Sequence, residues 1–173
     1  QTMKKAMESL VSLIPEDGGK DGKFKYASMH LGSDIGPCVG KTRDDVHRAF
    51  LLWSQKEKDR ENDSFNVTKA FRRLEAFADY QLRMYEPYFN TPVDITSKAI
   101  IKASQFLNIK TLADTCDGAV VIIIDLAKLD YEGLDNKDYD MKDFLRYYWA
   151  YMLNTMFDDA ACSQGSIIIE GLG

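Results

Sequence analysis

The chain has 173 residues, 45% apolar and 28% charged, the proportions of a folded domain with its own core rather than of a disordered segment. Its 27 acidic side chains outnumber 22 basic ones for a formal charge of −5, which argues against a nucleic-acid partner, because phosphate binding rests on a dense field of Lys and Arg. The apolar run Ala119–Ile124 is six residues long, against the roughly 20 of a bilayer-crossing helix, so any membrane contact is expected to be peripheral.

Met3, Ala6, Met7, Leu10, Val11 and Ile14 recur at helical spacing, and Pro15 with Asp17-Gly18-Gly19 ends the run. Residues 18–40 are glycine-rich with isolated apolar residues such as Phe24, Tyr26 and Met29, which predicts a long loop or a strap laid over a neighbouring surface. Thr42 is a hydroxyl N-cap followed by Asp44 and Asp45, whose charge suits the first turn of a helix carried on by Val46, Ala49, Phe50 and Trp53. That helix fades into the charged run QKEKDREND.

Val67, Ala70, Phe71, Leu74, Phe77, Ala78, Leu82 and Tyr85 keep the 3.6-residue period until Pro87 stops it. The sequon Asn66-Val67-Thr68 falls at the start of this helix. A further helix is expected from Pro92 through Ala99, Ile100, Ala103 and Phe106. Near residue 108 the pattern changes: Ile109–Leu112 and Ala119–Asp125 flank Asp117-Gly118, the signature of a hairpin. An aromatic helix over 143–157 and a last strand at Ile167–Ile169 complete a strand, helix, strand order, which implies a right-handed parallel crossover. The expected class is therefore α/β and helix-rich.

GPCVGKT at 36–42 and the strand VVIIID at 120–125 together suggest a nucleotide triphosphatase. A P-loop needs four residues between its glycines so that successive N–H groups curl around the β-phosphate, but Gly36 and Gly40 enclose three, and Ile35 stands where glycine is required. KFKYASMHLGSD before it contains no central-strand run. A Gly/Pro loop leading to the Thr42 cap accounts for the same residues, and nucleotide binding remains the minor alternative. No G-x-S-x-G elbow or HExxH pair is present, and the carboxylates fall mainly in solvated runs such as DYEGLDNKDYD, so no enzymatic chemistry is indicated. Cys38, Cys116 and Cys162, with only His30 and His47 to add, form no pattern of close zinc ligands. Reduced, buried thiols in the cytoplasm or an organelle stroma or matrix are expected, with no metal or cofactor; no targeting segment is visible in QTMKKAMESLVSLIPEDGG.

From Ser64 to Gly173 the chain resembles the CRAL-TRIO family of lipid-transfer modules. SFNVTKAFRRLEAFADYQLRMYEPYF is similar to that family's N-terminal helical segment, TCDGAVVIIIDLAKLD to its turn and strand, and DFLRYYWAYMLNTMFDDAACSQGSIIIEGLG to its next helix and strand. Where the family enters its first long strand with Arg-Pro, this chain has Asp117-Gly118, and Glu170 replaces a closing Asp one residue early. Residues 1–63, ahead of the resemblance, read as an added arm, loop and helix; the resemblance implies a CRAL-TRIO-type helical segment at 64–107 and, at 108–173, the start of a lipid-binding lobe with a mixed sheet. It also implies a lipid or other hydrophobic small molecule as ligand, and a carrier role rather than catalysis.

Alternation along the strand puts Val121, Ile123 and Asp125 on one face and Val120, Ile122 and Ile124 on the other, with Ile167 and Ile169 expected to join Val121 and Ile123 from the last strand. Phe144, Tyr148, Met152 and Met156 make one stripe of the aromatic helix, with Tyr151 beside it. Val121, Ile123, Ile167 and Ile169 with these five helix residues are the candidate lining of an apolar ligand site, although the same rows packed against each other would make an ordinary core. A second expectation is that a protein partner completes the sheet and the chain serves as an interaction subunit.

Overall fold

The computed structural model describes residues 2–28, 42–55, 62, 64–85, 96–111, 120–136, 141–157 and 166–171, and helices dominate them. Helix α1 (Met3–Ser12) buries Ala6 and Leu10 and leaves Val11 exposed, so the predicted stripe is narrower than its sequence pattern. Gly18 and Gly19 then adopt positive φ (82° and 74°), the left-handed backbone that glycine takes at least cost. Their turn delivers a strap of 3-10 geometry, Lys20–Ser28, kinked at Asp21 and Gly22. The expected loop is in part this strap, lying across a helix; residues 29–41, with His30 and Cys38, are outside the described residues.

Helix α2 (Arg43–Trp53) starts at Thr42 as expected. The Thr42 hydroxyl accepts from the Asp45 N–H, and the Asp45 carboxylate accepts from the Thr42 N–H, a reciprocal capping box. Helix α3 (Val67–Met84) has no Gly or Pro inside it, and Asn66 caps it by accepting the Lys69 N–H at 2.9 Å. Ala6, Ala49, Ala70 and Ala78 are all fully buried. Such small side chains let helix axes approach closely, and α1, α2 and α3 contact one another pairwise.

The strap is fixed on α3 by both packing and charge. Phe24 stacks on Phe71 with ring centroids 5.8 Å apart, and Tyr26 meets Tyr85 at 4.8 Å. Between them the buried Lys23 reaches Glu75 at 3.0 Å and Asp79 at 3.1 Å, carboxylates one helical turn apart on α3. The Glu75 hydrogen bond raises the Lys23 pKa, Asp79 adds to it, and desolvation opposes both.

Helix α4 (Lys98–Phe106) runs directly into β1 (Leu107–Thr111), and β2 (Val120–Asp125) pairs antiparallel with it, Leu107 opposite Ile124 and Thr111 opposite Val120. The predicted antiparallel pair is present, but this register places residues 112–119 between the strands, a longer connection than a tight Asp-Gly turn. That connection, with Cys116, lies outside the described residues. Asp125 ends the strand by capping a 3-10 turn at Leu126–Lys128, and a short helix, α5 (Tyr131–Asp135), replaces part of the run read as solvated. Asp130 holds its start, accepting from the Gly133 N–H at 2.9 Å and pairing with Lys102 of α4 at 2.9 Å.

Helix α6 (Met141–Met156) leads to β3 (Ser166–Gly171), which pairs parallel to β2 with Val121 opposite Ile167 and Ile123 opposite Ile169. The sheet order is β1-β2-β3. The main core does not respect sequence order. Phe157, 2% exposed, sits among Phe50, Trp53 and Phe77 of α2 and α3, at centroid distances of 6.2, 5.5 and 5.6 Å. Trp149 of α6 donates from Nε1 to Gln81 of α3 at 3.2 Å and packs on Tyr80. Residues from all three stretches distinguished in the sequence thus meet in a single apolar cluster.

Candidate functional site

Strand register decides which candidate residues share a surface. In a parallel pair, opposed positions lie on the same face, so Val121, Ile123, Ile167 and Ile169 form a two-by-two block on β2 and β3. Asn108 is opposite Ile123 and Lys110 opposite Val121, so β1 borders that block with two polar positions. The other face carries Leu107, Ile109, Val120, Ile122, Ile124 and Ile168, with Thr111, Ser166 and Glu170 toward its ends, and Ile124 there is 6% exposed. Ile123, on the block's face, is only half-buried. Each face thus has an apolar centre with polar positions at its margin; on the face of the block these are Asn108 and Lys110 of β1 and Asp125 at the end of β2.

The helical candidates divide differently. Phe144 is buried and packs on Phe106 at the end of α4, with centroids 5.7 Å apart, the arrangement of a core pair. Tyr148, one turn on, is half-buried. For Val121, Tyr151, Met152, Met156, Ile167 and Ile169 the described structure gives backbone position only: residues 144, 148, 152 and 156 fall on one helical row, with 151 alongside. The structure thus groups the four strand candidates by register and the helical candidates by periodicity.

The two residues on which nucleotide chemistry would depend are occupied locally. The Thr42 hydroxyl, besides accepting from the Asp45 N–H, lies 2.8 Å from the Asp45 carboxylate. Asp125 accepts the Ala127 N–H at 3.2 Å and pairs with Lys128 at 3.1 Å. Gly36–Lys41 lie outside the described residues. Among the described residues no group of three or more His, Cys, Asp or Glu could hold a metal ion, and no helix is long and apolar enough to cross a membrane.

One feature escaped the sequence reading. A cleft of about 380 Å³ lies between the end of α1, the glycine turn, the strap and the start of α2, lined by Ile14, Pro15, Glu16, Asp17, Gly18, Phe24, Lys25, Arg43 and His47. His47 is 3% exposed, and among the described residues its Nδ1 has no hydrogen-bond partner. Burial, with the Arg43 charge next in weight, lowers its pKa below the usual imidazole range, partly offset by Asp44. The signal available in the sequence was its spacing: 47 falls on the same helical row as Phe50 and Leu51, where a histidine must be at least partly buried.

No protein-family model, curated protein or solved structure matches the chain.

Proposed function

We propose that the protein binds a lipid or similar hydrophobic small molecule and carries it, as its resemblance to the CRAL-TRIO family implies, without catalysing a reaction. The observation that supports this best is the apolar block that the register assembles on β2 and β3. An amphipathic ligand calls for an apolar wall with a few polar anchors at its margin, and Val121, Ile123, Ile167 and Ile169 bordered by Asn108 and Lys110 have that composition. Strand β2, helix α6 and parallel strand β3 follow one another in the order that resemblance implies, which supports the reading. On this reading the ligand's apolar body lies on the strand block, with the row 148, 151, 152 and 156 as a second wall, while Phe144 supports that wall from the core. Exchange with membranes would be peripheral, from a reducing compartment such as the cytoplasm or an organelle stroma or matrix.

The test is an organic extraction of the purified protein, analysed by mass spectrometry for co-purified lipid, with lipid pick-up from vesicles measured alongside. Ile123→Glu, placed in the middle of the block, is expected to abolish retention while leaving the helical core folded. Protein that carries no lipid and takes none from vesicles would refute the proposal.

A second reading, an interaction subunit, draws on Ile101, Tyr131, Met141 and Leu145, large apolar residues 41–58% exposed on α4, α5 and α6. It predicts self-association or aggregation of the isolated chain. A stable monomer in analytical ultracentrifugation would remove it.

A further inference from the structure

The cleft beside His47 is remote in sequence from the strand block, and the lipid reading leaves it unused. Three elements build it. The end of α1 and the glycine turn supply Ile14, Pro15 and, at the rim, Glu16 and Asp17; the strap supplies Phe24 and Lys25; the first turns of α2 supply Arg43 and His47. Among the described residues neither Lys25 nor Arg43 has an ion-pair partner, unlike Lys23 two positions away, which is held by two carboxylates. Asp17 already accepts the Gly19 N–H at 2.9 Å, and both rim acids are exposed, where water and salt screen their charge.

A buried imidazole nitrogen without a partner costs about 1–3 kcal/mol if nothing ever satisfies it, so folded proteins rarely leave one. Here that nitrogen belongs to a residue in the wall of a cleft whose size falls within the roughly 300–1,000 Å³ range of small-molecule sites. Arg43 lies one helical turn before His47, on the same side of α2, which brings a guanidinium and an imidazole to one wall. Arg is suited to carboxylate and phosphate because its planar donors pair with two oxygens at once. Opposite them Ile14, Pro15 and Phe24 offer an apolar and aromatic surface.

We propose that this cleft binds a small organic oxyanion with an apolar body, a carboxylate or a phosphate ester. Arg43 and Lys25 serve as counter-charges, His47 supplies a hydrogen bond to the oxyanion, and Phe24 with Ile14 and Pro15 contacts the body of the ligand. The site is independent of the lipid proposal, and either can fail without the other.

The chain has two histidines, His30 and His47, so the imidazole NMR signals that disappear in His47→Gln are the ones that report on the cleft. Benzoate is the first probe, phenyl phosphate the second, and benzamide the neutral control of the same shape. Benzoate or phenyl phosphate should shift the His47 signals saturably, and whichever binds tighter identifies the oxyanion. Arg43→Gln and Lys25→Gln change exposed side chains and should leave the fold intact; each should weaken binding about tenfold, the loss of one charge-assisted hydrogen bond. Equal binding of benzoate and benzamide, affinity unaffected by both variants, or no saturable His47 shift up to about 10 mM, a limit weaker than any useful small-molecule site, would each overturn the assignment.

Discussion

Phe157→Ala tests whether the end of α6 is keyed into the N-terminal helices. The ring is 2% exposed and lies within 5.5–6.2 Å of three aromatic rings belonging to α2 and α3. Removing it loses the transfer energy of a buried aromatic side chain, about 2–3 kcal/mol. The unfilled space among Phe50, Trp53 and Phe77 adds a cavity cost, which brings the expected loss to about 3–5 kcal/mol. That is a large part of the ~5–15 kcal/mol that holds a typical domain. The assay is urea unfolding followed by tryptophan fluorescence, because Trp53 stacks on Phe157 and its emission should shift to the red in the variant. Leu145→Ala, 41% exposed on the same helix, is the control and should change stability by less than about 0.5 kcal/mol. If Phe157→Ala costs under about 1 kcal/mol at an unchanged denaturant slope, the single-core description is wrong.

Asn66→Ala leaves the Lys69 N–H without its acceptor and should cost about 1 kcal/mol in a thermal or urea melt, with Asn66→Asp restoring most of it. Gln81→Leu strands the Trp149 indole N–H in a partly buried site, so a loss of about 1–3 kcal/mol is expected; a Trp149→Phe background should make the same substitution far milder. Burial lowers the His47 pKa in the folded chain, so as pH falls through the ordinary imidazole value of about 6.5 the unfolded chain takes up the proton first, and stability decreases as the pH decreases toward the folded pKa. Comparing urea midpoints at neutral and mildly acidic pH should show this dependence in the parent and a flatter one in His47→Gln. Lys23 has the opposite sign: its raised pKa gives stability present below the ordinary lysine value and lost as pH rises through the folded pKa, an alkaline sensitivity that Lys23→Met should remove.

Local chemistry was legible in the sequence wherever it was also sufficient. Thr42 announces a helix start because a side-chain oxygen at that position satisfies an N–H that nothing else reaches, and that cap formed. The period over 67–85 defined α3 because a continuous apolar stripe without Gly or Pro has one regular conformation that buries it. The helix-rich character of the chain was readable for the same reason.

What required the folded chain was every pairing distant in sequence. A glycine-rich stretch could be read as loop or strap, but nothing local says that Lys23 will find Glu75 and Asp79, or Phe24 will find Phe71. Hydrophobicity put Phe157 at the end of a helix, yet its partners are roughly a hundred positions earlier, chosen by shape and space rather than by pattern. The polar edge that Asn108 and Lys110 give the strand block depends on the register between β1 and β2, where a slip of one residue would exchange the faces. The His47 cleft likewise arises only when three segments converge. Periodicity and capping act within a few residues of each other and so are written into the sequence; burial is a property of neighbours that folding alone selects.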